Sequence, residues 1–579
     1  MRVEAPPHDL LKLCYWNDQH AKLRYLPDFL RGTELAWAVK THHKKKNHPL
    51  HKADMISSAV ARIRMLHTYW GEIGLEDVHP FMLRVYGGPE FWDEKKQRRT
   101  LNEIFQVFKR YGVNPNAYAR ANDMLSSFPQ DSRFPLVSLK THHWLSWALY
   151  KQINASLKDI PIEELTLFII KISANYSDSD RLHRLKEMRE FFAFKADVGK
   201  AIRSILKQNQ EYEPLIAGDD VILPVLARIR ENEGESISKS PQISRILQCV
   251  MSLELPLKVQ IYEHKLERRD IEVRKGEKRK YTIVREPPRL IEYGFGFEKL
   301  EYLAGSAEWE PHLNKPHVAW ISIRPAGDLL FSAYEFSKRA EKILARFKRI
   351  EVPEPIYTDA VSPDLLLSVF EGYIDFLNDI SGKLSEYARM KKLPKPDIIR
   401  SFDHSLFVIG LDDTDEGAHI YSDILKMKDK LLIPLNISVI VTRSKHPFWH
   451  VIELSEKFKN NLVFVEKMVE VPEEIIRMLE KSANEMRAIT RSMFNKEILA
   501  KIKLTTKEEL KFHLKGLVAD GKIRNKQLCE TLSHLLDEIA ARCGGDEIKR
   551  RQLTYKAFKY LEPFTKGESR EGRKGIGRM

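Results

Sequence analysis

Cysteine is scarce. Among 579 residues only Cys14, Cys249, Cys529 and Cys543 occur, and no two form a CxxC pair. A disulfide framework and a zinc ribbon therefore have no support. Long apolar runs are missing too: no stretch of about 18 uncharged apolar residues is present, so no membrane span is expected. The opening MRVEAPPHDL has neither an apolar signal core nor a small-residue cleavage site, which predicts a cytoplasmic protein. GxSxG and GxxxxGK[ST] are absent, which removes the serine-hydrolase elbow and the phosphate-cradling P-loop. No histidine is placed to activate Cys14 as a nucleophile.

What is present is a globular balance of 43% hydrophobic and 30% charged residues, against a disordered or fibrous chain. The length suggests about three or four domains. Lys and Arg number 95 against 81 Asp and Glu, a formal net charge of +14. That excess favours a polyanionic partner such as nucleic acid. Histidine is unevenly spread: of 20, eight fall in the first 80 positions, at 8, 20, 42, 43, 48, 51, 67 and 79. Such clustering points to metal chemistry or a pH-sensitive surface.

Periodicity predicts an α+β multidomain protein. Residues 1–155 read as mostly helical, with apolar residues at three-to-four spacing in DMISSAVARIRMLHTYW and turns at GGPEFW (87–92) and FPQDSRFP (128–135). Residues 156–265 read as strand, helix, hairpin, helix, strand: LTLFIIKIS, a charged helix at about 180–207, EPLIA and VILPVL around Gly218-Asp219-Asp220, a helix at about 241–252, then LPLKVQIYE. That is the ferredoxin-like βαββαβ order. It recurs over 317–470, from HVAWISIRP and the helix at about 328–350 to the hairpin DIIRS/LFVIGL and LNISVIVT, as in a duplicated core. Between the copies, 266–316 holds a hairpin about Gly276 whose tip carries Arg274, Lys275, Lys278, Arg279 and Lys280. Phosphate contact and plain solvation are both open readings of it. Residues 471–565 read as helical, and 566–579 as a disordered basic tail.

Several metal-ligating residue types cluster near the N-terminus. His8-Asp9 opens HDLLK, His42-His43 lie in THHKKKNHPLHKADMISS with Asp54, and His142-His143 lie in SLKTHHWLSWALY. An adjacent His-Asp pair, further histidines and a distant Asp suit one or two divalent ions of the Mn, Ni, Co or Mg type that activate water against a phosphate. Lys12, one turn after the pair, is placed to meet that phosphate. Singly, each of these is also what a buried core histidine or a solvated surface would show.

These motifs together resemble the large multidomain subunit of type III CRISPR RNA-guided effector complexes. HDLLK first and SLKTHHWLSWALY last match that family's circularly permuted HD nuclease domain, and HHKKKNHPLHKADMISS looks like its His-His and Ala-Asp-x-x-Ser-Ser segments. FPQDSRFPLVSLKTHHWL resembles its aspartate–arginine segment, and LNISVIVTRSKHPFWHVIELSEK the strand–Lys–Pro–helix passage of its second palm. The resemblance implies an HD domain over 1–155, ferredoxin-like palms over 156–265 and 317–470, and a C-terminal helical domain. It implies a metal-dependent nuclease cutting single-stranded DNA, with His8, Asp9, His42 or His43, Asp54 and His142 as ligands. Its implied partners are guide RNA, target RNA and the backbone, guide-end cap and small helical subunits.

One departure alters the expected activity. Where the family carries GGDD before a Leu-Phe-Val-Val-Gly-like strand, this chain has Ser401-Phe402-Asp403-His404-Ser405 before Leu406–Gly410, and Arg324 stands in the earlier strand that normally supplies a metal-binding Asp. A two-metal cyclase needs carboxylates from both strands, so cyclic-oligoadenylate synthesis is not expected. Asp219-Asp220 and Asp412-Asp413 are expected to be a polar hairpin tip and a helix-start cap. A purely structural subunit and a stand-alone HD phosphohydrolase are the alternatives.

Overall fold

The computed structural model describes residues 4–15, 21–44, 48–61, 81–131, 134–174, 212–217, 220–228, 240–252, 257–274, 277–294, 315–348, 363–393, 395–399, 402–444, 446, 448–467, 469–483, 486, 489–502, 505–523 and 525–561. It is an α+β multidomain protein. The N-terminal part begins with 3-10 turns at Leu10–Leu13, Leu23–Tyr25 and Asp28–Leu30, followed by α1 (Glu34–Lys44) and α2 (Pro49–Ala61). A hairpin of β1 (Phe81–Arg84) and β2 (Gly88–Phe91) leads to α3 (Glu94–Tyr111) and α4 (Pro115–Leu125). A second hairpin, β3 (Pro129–Asp131) and β4 (Phe134–Ser138), precedes α5 (Leu139–Gln152). Both stretches expected as plain turns, 87–92 and 128–135, thus contribute strands. Gly87 and Gly88 take positive φ, 97° and 75°, which lets the first reverse direction.

Capping residues fix these helices. Asp93 accepts from the Lys96 amide, Asn114 from Ala117 and Ser138 from Thr141, each satisfying an amide that the helix leaves open. Gly112, at φ 75°, ends α3.

Next comes β5 (Leu165–Ala174), β6 (Leu215–Ala217), β7 (Asp220–Arg228), α6 (Pro241–Met251), β8 (Leu257–Arg274) and β9 (Glu277–Gly294). They form one antiparallel sheet in the order β6-β7-β5-β8-β9. The helix expected at 180–207 lies outside the described residues. The expected boundary at 265 falls inside β8, because strand and basic hairpin are one element. β8 pairs with β5 only as far as Lys265. Beyond it, β8 and β9 pair with each other alone, a two-stranded arm about 30 Å long at roughly 3.4 Å per residue.

The second unit repeats the order. β10 (His317–Pro325), α7 (Leu329–Lys348), α8 (Pro363–Met390), β11 (Asp397–Ile399), β12 (Ser405–Leu411), α9 (Glu416–Lys428) and β13 (Leu435–Arg443) follow in sequence. α10 (Phe448–Lys457), β14 (Asn461–Phe464) and β15 (Val469–Pro472) extend the sheet to β11-β12-β10-β13-β14-β15. In both units the first strand lies between the third and fourth, with the second outermost beside the third. Period-two alternation divides the apolar residues: Phe168, Ile170, Val318, Trp320, Leu406 and Val408 share one core cluster, while Leu167, Ile169, Ala319, Ile321, Phe407 and Ile409 join another. Four longer C-terminal helices close the chain: α11 (Glu473–Ala483), α12 (Lys507–Ala519), α13 (Lys526–Arg542) and α14 (Glu547–Leu561). Thr506 and Glu509 cap α12 reciprocally. Among the described residues no helix is long and apolar enough to cross a membrane.

His264 is buried on β8 with neither ring nitrogen hydrogen-bonded. It sits where the β8–β9 register shifts between Glu263 and Lys265, across from the stretch Glu286-Pro287-Pro288, whose prolines have no N–H to give the ladder. Burial lowers its pKa from 6.5 to about 3. The unfolded chain therefore binds a proton that the folded chain refuses, and stability is lost as pH falls from about 6.5 toward 3, by about 1.4 kcal/mol per unit at most. His264→Leu is expected to remove roughly 2 kcal/mol of the acid destabilisation between pH 7.5 and pH 5. Thermal melts at the two pH values check this; equal acid losses in variant and wild type would refute it.

Candidate metal centre

Four separate segments bring His8, Asp9, His42, Asp54 and His142 to one point. The segment before the first 3-10 turn supplies His8 and Asp9, α1 supplies His42, α2 supplies Asp54 and α5 supplies His142. None is more than 5% exposed. His142 Nε2 lies 3.0 Å from Asp54 Oδ1 and 3.2 Å from Asp9 Oδ2. His42 Nε2 stands 3.0 Å from Asp9 Oδ1, and His8 Nε2 is 3.7 Å from Asp54 Oδ1. Two groups of donor atoms result, His8–Asp9–Asp54–His142 and Asp9–His42–His43, with Asp9 common to both.

The spacing fits a cation. Ligands about 2.1 Å from a common ion and at right angles to it stand about 3.0 Å apart. The 3.0 Å between His42 Nε2 and Asp9 Oδ1 and the 3.0 Å between His142 Nε2 and Asp54 Oδ1 both match that separation. Imidazole nitrogen with carboxylate oxygen is a donor set for Mn, Fe, Co or Ni more than for calcium.

Electrostatics sets the charge states. Burial works to raise the pKa of Asp9, but Lys12, His42 and His142 outweigh it and hold the carboxyl well below its usual range. Burial is likewise outweighed at Asp54 by His142 and His8, leaving it well below the usual value. Burial lowers His8, and it lowers His143 further. His142 is raised despite burial, because Asp54 and Asp9 attract its proton. Two carboxylates held in their ionised form, with burial pushing His8 and His143 toward the neutral one, make a pocket suited to a divalent cation.

The histidine pairs divide their work. His143 does not face the carboxylate oxygens: its Nε2 accepts the backbone N–H of Asp9 at 3.1 Å, and its Nδ1 is 2.8 Å from Asn122 Oδ1. Asn122 in turn donates to the carbonyl of Ala5 at 2.8 Å. This chain of contacts fixes the loop that carries His8 and Asp9. Ser57 Oγ lies 2.9 Å from His142 Nδ1 and can serve either tautomer. Ser57 was legible as the residue one turn after Asp54 on the same helix face; Asn122 carries no sequence signal. Lys12 Nζ contacts Asp9 Oδ2 at 2.5 Å and is 18% exposed, at the rim of the cluster. His43 is half-buried beside His42. His20, His67 and His79 lie outside the described residues.

The segment in the cyclase position has other partners. Ser401 lies outside the described residues; Phe402 and Asp403 tie the two sheets together, and His404 bonds within its own sheet. The ammonium of Lys171, fully buried on β5, is 2.8 Å from Asp403 Oδ1 and 3.3 Å from Gln260 Oε1, and Ser173 donates to Asp403 Oδ2. The buried ring of Phe402 stacks on Phe370 and meets Tyr373 edge-on. Asp220 is not a solvated hairpin tip: it is buried and accepts the Phe402 amide at 2.7 Å. A carboxylate at the end of β7 saturates a backbone donor from the other sheet, which local sequence could not reveal. Asp219 lies outside the described residues. Arg324 reaches Glu456 at 3.0 Å, Ser455 at 3.2 Å and His404 Nδ1 at 3.3 Å, while His404 Nε2 is 2.9 Å from Ser322 Oγ. Asp412 and Asp413 begin the approach to α9, where Asp413 accepts the Asp415 amide.

At the hairpin tip, Lys278 stands in register opposite Glu272, Lys280 opposite Asp270 and Arg274 opposite Glu277, while Arg279 faces Ile271. Acidic positions therefore alternate with the basic ones. Lys275 lies outside the described residues.

No family model and no curated protein matches the sequence. Among solved structures, Csm1 from T. onnurineus aligns over 97% of this chain and 98% of its own, with a TM-score of 0.50 at 9% identity. The Csm1–Csm4 subcomplex of the type III-A CRISPR–Csm interference complex aligns over 97% and 98%, at 0.49 and 12% identity. A Csm1–Csm4 cassette in complex with cA3 covers 98% and 100%, at 0.47 and 12%. The chain has the fold of Csm1, in agreement with its sequence resemblance to the large subunit of type III CRISPR complexes.

Proposed function

We propose that this chain is the large subunit of a type III CRISPR-like, RNA-guided antiviral effector complex, whose N-terminal centre cleaves single-stranded DNA with a divalent metal. The observation that carries the reading is the burial of His8, Asp9, His42, Asp54 and His142 at one point with ligand-like spacing. Residues 1–155 are read as an HD-type nuclease domain, 156–265 and 317–470 as ferredoxin-like palms, and 471–565 as a helical domain. The matching strand order of the two sheets supports the palm assignment. Guide RNA, target RNA and neighbouring effector subunits are the partners this reading requires, with the basic hairpin of 266–316 as a phosphate contact.

His8, Asp9, His42, Asp54 and His142 would hold the cation, with His43 as a further donor. When bound, it would supply hydroxide at neutral pH and neutralise charge on the scissile phosphate. The chain does the rest. Asp9, ionised by its surroundings, faces both donor groups at once. His143 and Asn122 fix its backbone, and Ser57 fixes the plane of the His142 ring. Lys12, on the rim, is the cation placed to meet a phosphate oxygen.

Labelled single-stranded DNA, cognate target RNA and Mn²⁺, Ni²⁺ or Mg²⁺ with the assembled complex test this. Cleavage is expected with wild type and is expected to fall at least about 100-fold in His8→Ala/Asp9→Ala; Asn122→Ala is expected to cost roughly 10–100-fold through the geometry of Asp9. Absence of cleavage with every metal would leave a structural subunit. Cleavage by residues 1–155 alone would favour the stand-alone phosphohydrolase.

The palms are read as scaffold without cyclase activity. Asp403, the one acid left in the cyclase segment, is engaged by Lys171, and Arg324 is held by Glu456 and Ser455 where a metal-binding acid would be needed. Two outcomes check this. ATP is expected to give no oligoadenylate in the same reactions. Asp403→Asn, which strands the buried Lys171 ammonium, is expected to destabilise by about 3–5 kcal/mol. Lys171→Met, which leaves a partly exposed carboxylate free to meet water, is expected to cost less, about 1–2 kcal/mol. Equal losses in chemical denaturation would refute the latch.

A further inference from the structure

α8 belongs to the second sheet unit, yet one of its faces is spent on the N-terminal part. Glu371, Asp375 and Asp379 are spaced by four residues along that face, so they form one stripe. Arg84 Nη2 is 2.8 Å from Asp375 Oδ2, and Tyr86 donates to Asp379 Oδ2 at 2.9 Å. Between these contacts the helix comes very close: a Cβ on Gly372 would lie 2.5 Å from that of Val85. The third carboxylate does something different. Glu371 Oε1 is 2.9 Å from Lys140 Nζ, which also reaches Asp123 at 2.9 Å, and Glu371 Oε2 accepts from the Thr141 hydroxyl at 3.3 Å. Lys140 and Thr141 form the first turn of α5, directly before His142 and His143.

We infer that Glu371 is a positioning residue of the metal centre. It grips the first turn of α5 at two consecutive residues, so the seat of α8 fixes where His142 and His143 stand. His142 faces the carboxylates of Asp9 and Asp54, and His143 holds the backbone of Asp9. A shift of α8 therefore reaches both donor groups through one carboxylate. The inference rests on the metal-centre reading above and adds its regulation: what displaces α8 in the second sheet unit weakens metal binding in the N-terminal part. The stripe itself is divided, with Glu371 bonded to the ligand-bearing turn and Asp375 bonded to Arg84 of the β1–β2 hairpin.

Calorimetric titration of the metal-free full chain with Mn²⁺ tests the inference without reference to cleavage. Glu371→Gln is expected to weaken Mn²⁺ binding by about 10–100-fold, the usual effect of losing an outer partner of a ligand. Asp375→Asn, a break one turn along the same interface, is expected to leave it within about twofold. Lys140→Met should weaken binding as Glu371→Gln does, and the double variant should be no worse than the more affected single, since both remove one contact. Should Glu371→Gln fail to fold, Lys140→Met against Asp375→Asn makes the same comparison. Wild-type affinity in Glu371→Gln, or equal losses in Glu371→Gln and Asp375→Asn, would overturn the inference. No Mn²⁺ binding by wild type would instead overturn the metal-centre reading.

Discussion

The N-terminal part is organised around a buried charge. Asp9 has no exposure to water, and an ionised carboxylate in such a place is costly unless its surroundings replace the lost solvation. Here they do so from every side: an ammonium from its own turn, imidazoles from α1 and α5, and a backbone fixed by His143. Remove the anion and the reason for gathering these histidines disappears. The same logic governs Lys171 between the sheets, where Asp403 and Gln260 replace water around a buried ammonium. Both buried ions join chain segments distant in sequence, so losing either partner would leave a buried charge unpaired.

Much of the architecture could be read from periodicity. HVAWISIRP forms a strand over the expected residues 317–325 because six of its consecutive side chains are buried and both faces must be apolar. The single helix of 363–390 and the strand at 435–443 follow the same rule. Periodicity failed where backbone pairing, not burial, decides. GGPEFW and FPQDSRFP have turn composition, and their strands are short hairpin partners stabilised by neighbours. The length of β8 was hidden for a related reason. ERRDIEVR is mostly charged, so the sequence pattern gives it as part of a separate hairpin about Gly276 and does not announce that it continues LKVQIYEHK.

The candidate site was legible as residue types and hidden as roles. His8-Asp9, Asp54 and the two His-His pairs are visible as metal-ligating chemistry. Which member of each pair faces the carboxylates depends on how α1 and α5 rotate about their axes, a tertiary quantity. His142 and His143 are 100° apart on an ideal helix, and that rotation alone makes one a candidate ligand and the other a support for the Asp9 backbone. Asn122 and Glu371 come from elements that carry no metal chemistry, so only packing could connect them with the site. Asp220 is the reverse case: the sequence places it at a solvated hairpin tip, and it is an internal acceptor.

β8 has a mechanical property that follows from its ladder. Its first nine residues pair with β5 and, for seven of them, with β9 as well, and the remainder pair with β9 alone. The strand is held by neighbours on both sides at one end and paired with β9 alone at the other, with the irregular pairing around His264 near the junction. A force on the basic tip acts with the leverage of the whole arm on that one joint. Bending there would load β5, the neighbouring strand, which also carries Lys171.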